Sequence, residues 1–210
     1  MAPTNAPAAE IAPLPNADGS VIFSYAGYKV VAAANGPVET LKREEYAFEA
    51  LVMEVPENEY ENGKAMRYNI NLPAIPALLH AAILALLSGA VPLKGIATAA
   101  LLIVPGDSND GKVIVDPTAV QIAHARSVHV LGFTSEGDLL LAESEGQFSL
   151  DEWDEVVRAA QKVCLQSPDE MSVDEGESTL AYVKSVDMKQ FIRTVMASKV
   201  AADLHWKISV

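Results

Sequence analysis

The sequence predicts an α+β domain, and three stretches carry that prediction. From Ala77 to Val104 a helix that is apolar nearly all round passes through a Gly/Pro break into a continuous apolar run. That is the pattern of a buried helix followed by a central strand covered on both faces. On either side of it, Asp18–Val55 and Ser127–Glu143 read as short β-prone runs separated by turn residues. From Ser149 onward the apolar spacing changes to that of an amphipathic helix.

Met1–Pro15 is rich in Ala and Pro, so residues 1–16 are expected to form a flexible arm without regular structure. Ser20–Tyr25 and Lys29–Asn35 make a hairpin around Ala26 and Gly27, closed by Gly36 and Pro37. Ala47–Val55 alternates as a third strand, with Phe48, Ala50 and Val52 on one face and Leu51, Met53 and Val55 on the other. Pro56 stops it, and the polar stretch to Pro76 reads as a loop. In the central helix Leu78, Leu79, Ile83, Leu86 and Leu87 form the apolar face. Gly89 with Pro92 ends it, because Gly relieves the backbone at a helix C-terminus and Pro cannot donate the next hydrogen bond.

After the central strand, a turn leads into a short strand, Lys112–Val115. Ser127–Thr134 and Asp138–Glu143 then pair through Ser135, Glu136 and Gly137. Ser149 and Glu152 form a capping box, and Leu150, Trp153, Val156, Val157, Ala160 and Cys164 make the buried stripe of the helix that follows. The expected organisation is a single domain over 17–165, an acidic linker over 166–178, and a C-terminal helix and tail over 179–210. That last helix carries Lys184, Lys189, Arg193 and Lys199, read as a solvated face.

Composition narrows the function classes. The chain has 210 residues and a formal charge of −13, which argues against an autonomous nucleic-acid binder, since phosphate contacts demand clustered Lys and Arg. Between Glu136 and Glu177 the only bases are Arg158 and Lys162, again the pattern of a solvated acidic face. A single cysteine, Cys164, excludes an internal disulfide framework and fits a reducing compartment. The N-terminus lacks a basic start and a long apolar core, so an intracellular protein is expected. No Asp, Glu, Lys or Arg lies between Arg67 and Lys94, but the fifteen residues from Ala77 to Val91 fall short of a membrane span.

Chemical motifs are few. Gly106–Val113, GDSNDGKV, approaches a phosphate-binding P-loop, yet Val113 replaces the magnesium-binding hydroxyl, and Asp107 and Asp110 would repel phosphate. His80, His124, His129 and His205 show no metal-ligand spacing. His80 reads as a hydrogen-bonded core residue. Ser88 lacks the Gly-x-Ser-x-Gly elbow. No catalytic residue, metal or cofactor is expected from these patterns.

Several segments, taken in order, resemble the RNase PH-like subunits of the eukaryotic RNA exosome ring. They are DGSVIFSYAGYKVVAAANGPVE (Asp18–Glu39), HAAILALLSGAVPLKGIATA in the core helix and break, and VIVDPTAVQIAHARSVHVLGF (Val113–Phe133), with its Asp-Pro-Thr and a Gln three residues beyond the Thr. The resemblance continues to about residue 165. It implies an RNase PH-like fold, of the ribosomal protein S5 domain 2-like class, with a mixed sheet and packed helices. Members usually have an amphipathic helix and further strands between Val55 and Ala77, where this chain offers only Pro56–Pro76; loss of an interior segment is the favoured reading, since removing strands exposes unpaired edges.

The resemblance also speaks to chemistry. Active phosphorolytic relatives hold phosphate with Arg, Ser and amides in a glycine-containing loop before the core helix; here that loop is INLPAIP. Their supporting acids fall near Ile122 and Val128, and Asp116 survives as a turn or strand-end residue. A catalytically inert ring subunit is therefore implied, supporting 3′–5′ RNA processing and degradation, including rRNA maturation, in nucleus, nucleolus and cytoplasm. Its implied partners are other RNase PH-like ring subunits and cap subunits, with RNA passing through the assembled channel and no membrane. Strand edges near the gap and the final helix are the expected interfaces. Lys42, Arg43, Lys64 and Arg67 are the candidate RNA-path residues. The rival readings are a phosphate-dependent 3′–5′ exoribonuclease and a free-standing protein with no exosome role.

Overall fold

The structure, a computed structural model, describes residues 6–39, 44–56, 71–106, 113–165 and 186–205. Its contacts divide the chain into two compact units: Met1–Val55 with Ala77–Ile96 and Met188–Val210, and Pro56–Pro76 with Ala97–Asp187. The C-terminal helix falls in the first unit.

The first unit holds a four-stranded antiparallel sheet in the order β1 (Ala8–Ile11), β2 (Gly19–Tyr25), β3 (Tyr28–Glu39) and β4 (Glu44–Glu54). The β2–β3 hairpin turns through Ala26 and Gly27, both at positive φ (51° and 82°), as a two-residue turn that matches strand twist requires. β1 corrects the expectation of a structureless arm. Ala8–Ile11 lies between Pro7 and Pro13, so each of its residues keeps its amide, and the free edge of β2 supplies the partner. Gly36 and Pro37 do not close the hairpin as expected; β3 runs through them with an irregularity in pairing between Asn35 and Val38.

Helix α1 (Ile75–Ser88) is the buried helix the sequence predicts, with Ala77, His80, Ala81, Ile83, Leu84 and Ala85 all buried. Among the described residues no helix is long and apolar enough to cross a membrane. Its end differs from expectation. Ala90, at φ 55°, takes the left-handed position, while Ala90 N donates to the Leu87 carbonyl and Val91 N to the Leu86 carbonyl, the paired bonds of a Schellman cap. Gly89 serves close approach instead: a Cβ there would lie 3.1 Å from Gly19 N, and a Cβ on Gly19 would lie 2.2 Å from the Ala85 oxygen. The start of β2 and the end of α1 touch backbone to backbone.

Phe23 on β2 sits at the centre of this unit, edge-on to His80 with ring centroids 6.0 Å apart. Phe191 of α4 (Met188–Asp203) is 6.2 Å from the same ring. Ile192 is fully buried and Leu204 is 38% exposed, so α4 docks through its first half.

The second unit's sheet runs β6 (Ile114–Val115), β5 (Ala97–Pro105), β7 (Ala125–Thr134) and β8 (Leu139–Gly146), again antiparallel at every pair. The implied mixed sheet is resolved as two antiparallel ones. β5 is buried along eight of its nine residues, because both faces are covered. On one face Leu102, Val104, Leu131 and Phe133 meet Val156, Ala159, Ala160 and Cys164 of α3 (Leu150–Leu165). Thr98 Oγ1 donates to the Cys164 carbonyl at 3.3 Å. The predicted capping box opens α3: Ser149 N donates to Glu152 Oε2 (2.7 Å) and Glu152 N to Ser149 Oγ (3.3 Å). Leu150, placed in the buried stripe by its spacing, is 76% exposed, since the first residue of the helix lies beyond the sheet it packs on.

Candidate functional site

The other face of the second sheet is where a phosphorolytic site is implied, and it is built from three separated segments. A 3-10 turn, Leu72–Ala74, leads into α1; Pro73 needs no amide partner at its start, and Ala74 N donates to the Asn71 carbonyl at 3.1 Å. The five-residue α2 (Ala119–Ala123) follows Thr118. Thr118 N donates to Gln121 Oε1 (2.8 Å), and Gln121 N donates to Thr118 Oγ1 (3.4 Å). The Thr and Gln that mark the resemblance are therefore a reciprocal cap, and they fix the turn that drives Ile122 into the core. Asp116 stands just before, at φ 49°, with its amide bonded to the Leu101 carbonyl. It is the strand-end residue expected.

These segments converge. Leu72, Ile122, Ala125, Val128 and Val130 pack in one buried cluster with Leu101 and Ile103, joined by Ile75, Ile114 and Leu141. Leu72 and Ile75 of the INLPAIP loop and the two positions near which the resemblance implies acids, Ile122 and Val128, thus belong to one apolar cluster of the core. Every side chain in it is hydrocarbon. Among the described residues, the members of this cluster offer no cation for phosphate, no oxyanion donor and no carboxyl to exchange a proton.

The opposite face carries a polar cluster that the sequence reading passed over. His129 is fully buried on β7. Its Nε2 lies 2.8 Å from Ser127 Oγ and its Nδ1 2.9 Å from Ser144 Oγ on β8. Phe148 and Trp153 close over the ring, with centroids 4.8 and 5.8 Å away. Burial lowers the imidazole pKa to about 4, opposed by the charge of Glu152. The ring is neutral at pH 7, with one nitrogen donating and the other accepting, so both serines are satisfied. Ser127 is sealed from solvent, and the neighbours of the imidazole in this relay are serines rather than a carboxylate, so the arrangement locks β7 to β8 rather than forming a nucleophilic triad. The signal in the sequence was the i, i+2 pair Ser127 and His129, legible only once Ser144 is known to lie opposite.

His80 is buried beside Phe23 and Tyr25, and burial lowers its pKa to about 3. The Cys164 thiol is pushed up to about 12, first by burial and also by the charge of Asp116, against hydrogen bonds from Thr98 and Phe133. It is an inert core thiol. Among the described residues no group of His, Cys, Asp and Glu has the geometry of a metal site. The RNA-path candidates Lys42, Arg43, Lys64 and Arg67 lie outside the described residues, as do most of the P-loop-like stretch, Lys184 and residues 57–70, where an interior loss was expected. On α4, Lys199 pairs with Asp203, and Arg193 is exposed.

No protein-family model matches the chain, and no curated protein does. Solved structures do. The chain is similar to rice (Oryza sativa) Rrp46, with a TM-score of 0.61 at 15% identity over 92% of this chain and 95% of that one. It is similar to C. elegans cell-death-related nuclease 5 (CRN-5), with a TM-score of 0.59 at 14% identity over 94% and 98%. A third match is an Archaeoglobus fulgidus exosome with RNA bound to the active site, at a TM-score of 0.51 and 10% identity over 75% and 85%. The chain has the RNase PH-like fold. At these identities the likeness is one of fold.

Proposed function

We propose that this RNase PH-like chain is a non-catalytic subunit of an exosome-type ring, of the Rrp46 kind, that supports 3′–5′ RNA processing and degradation. The observation that carries the reading is the hydrocarbon cluster of Leu72, Ile75, Ile122 and Val128, which stands where phosphorolytic relatives are implied to hold phosphate and a carboxyl group. Phosphate transferred into such a cluster would lose its hydration without gaining a donor. Fold likeness to rice Rrp46 and to archaeal exosome structures supports the ring setting. On this reading the partners are other RNase PH-like ring subunits and cap subunits, RNA passes through the assembled channel near Lys42, Arg43, Lys64 and Arg67, and the sites of action are nucleus, nucleolus and cytoplasm, with rRNA maturation among the tasks.

The test has two arms. Purified protein incubated with RNA and inorganic phosphate is expected to release no nucleoside diphosphate above a no-enzyme control, and affinity purification of the tagged chain from its own cells is expected to recover RNase PH-like partners. Phosphate-dependent release of nucleoside diphosphates would overturn the inert reading. An eluate free of ring subunits would overturn the ring reading. A nuclease is the second reading, favoured by the fold likeness to CRN-5, whose name describes one.

A further inference from the structure

α4 carries two stripes where docking needs one. Met188 and Ile192 are buried, and Phe191 lies against Phe23; these hold the helix to the first unit. A second line runs along its outer side. Lys189, Arg193, Ala197, Val200 and Leu204 follow one another at intervals of four, four, three and four residues, the spacing that sets side chains in one row on a helix. Leu204 N donates to the Val200 carbonyl at 3.0 Å, so the turn carries Leu204 into that row. Lys189 is half-buried and the other four are exposed, Val200 by 50%. A helix already docked by one stripe has no structural use for a second, and apolar residues lined up in water mark a surface for another molecule.

The charges on this row select what covers it. From Met188 to Ala202 the helix has three bases and no acid. Lys199 pairs with Asp203, whereas Lys189 and Arg193 enter no ion pair among the described residues. A chain with 28 acids against 15 bases repels an acidic partner over most of its surface, and the first half of the row is a local exception. After Arg193 the row turns aliphatic, which suits a protein surface and offers a nucleic-acid backbone nothing further.

We propose that this outer row of α4 is an interface with another RNase PH-like ring subunit, whose facing element sets Asp or Glu against Lys189 and Arg193 and aliphatic side chains against Ala197, Val200 and Leu204. The proposal rests on the ring reading and adds to it where this chain makes the contact and with what chemistry. Aliphatic burial supplies affinity, and the two bases fix the register and exclude basic surfaces.

The test purifies the tagged full chain from its own cells in four forms: natural, Arg193→Glu, Val200→Asp and Arg158→Glu. Arg158 is also an exposed arginine within a sixteen-residue helix, α3, so its reversal makes the same change in net charge away from the row. Recovery of RNase PH-like subunits per mole of bait is expected to fall about fivefold or more in Arg193→Glu and Val200→Asp, and to stay within about twofold in Arg158→Glu. Urea midpoints of all four forms are expected to agree, because the substituted positions are exposed. Undiminished recovery from Arg193→Glu and Val200→Asp would overturn the proposal and leave the ring reading standing, while a natural chain that recovers no ring subunit would overturn both. Equal loss in all three variants, or loss that tracks a lowered midpoint, would overturn the proposal as well. So would loss from the natural chain on ribonuclease treatment, which makes RNA the occupant, or a dimer of the purified chain that Arg193→Glu dissociates in light scattering, which makes it a second copy.

Discussion

A side chain at Gly19 has no room: its Cβ would lie 2.2 Å from the Ala85 oxygen and 2.3 Å from Gly89 N, all backbone atoms that cannot swing aside. Gly19→Ala is therefore expected to lower stability by about 2–4 kcal/mol in urea denaturation, while Ala33→Gly on the neighbouring strand, half-buried and without such contact, loses about 1 kcal/mol or less. His80 makes a second residue-scale prediction. Its folded pKa of about 3 lies below the ordinary 6.5, so the unfolded chain takes up the proton first. The stability tied to its neutral ring is complete above pH 6.5 and is lost progressively as pH falls toward 3. Between pH 7 and 5.5 this amounts to about 1 kcal/mol. His129, also lowered by burial, acts in the same direction. Urea midpoints across that range are expected to fall in the natural protein and to fall less in His80→Leu; identical slopes would remove His80 as the cause. The burial of His80 was legible from its apolar helix. The relay of His129 was not, because it depends on cross-strand register.

At the scale of elements, the long or strongly patterned segments were readable and the short ones were not. α1, the β2–β3 and β7–β8 hairpins and the cap of α3 follow from apolar spacing and turn residues. β1 has four residues and α2 has five, too few for a period to declare itself. β1 exists because β2 offers an edge, and α2 because Thr118 and Gln121 cap each other. The end of α1 shows how a correct boundary can carry a different cause: the sequence assigns the relief of the backbone there to Gly89, whereas Ala90 takes the left-handed position at φ 55° and Gly89 is kept small by Gly19. Ala90→Gly is consequently expected to stabilise the protein by about 0.5–1 kcal/mol, read as a raised melting temperature. Gly89→Ala should do the reverse, since its Cβ presses on the backbone of β2.

For the whole molecule, function turns on segments that are distant in sequence and adjacent in the fold. Leu72, in a loop without Arg, Ser or Gly, and Ile122 and Val128, near which the resemblance implies acids, are read singly in the sequence, but only the structure places them in a single cluster. That convergence couples the three positions: a polar side chain introduced at any one of them would face the hydrocarbon of the others. Val128→Asp, at a position with no exposure, would bury a carboxylate without a partner and is expected to cost about 3–5 kcal/mol and to yield no phosphorolysis. If the chain is a ring subunit, its stability has a further source, because binding partners stabilise the folded form by mass action. Co-expression of Val128→Asp with RNase PH-like ring subunits is then expected to recover more soluble protein than expression alone, with the tagged partners carrying the variant through gel filtration in one peak. Recovery that is the same with and without those subunits would mean that they do not bind this chain, and the scaffold reading would fall with it.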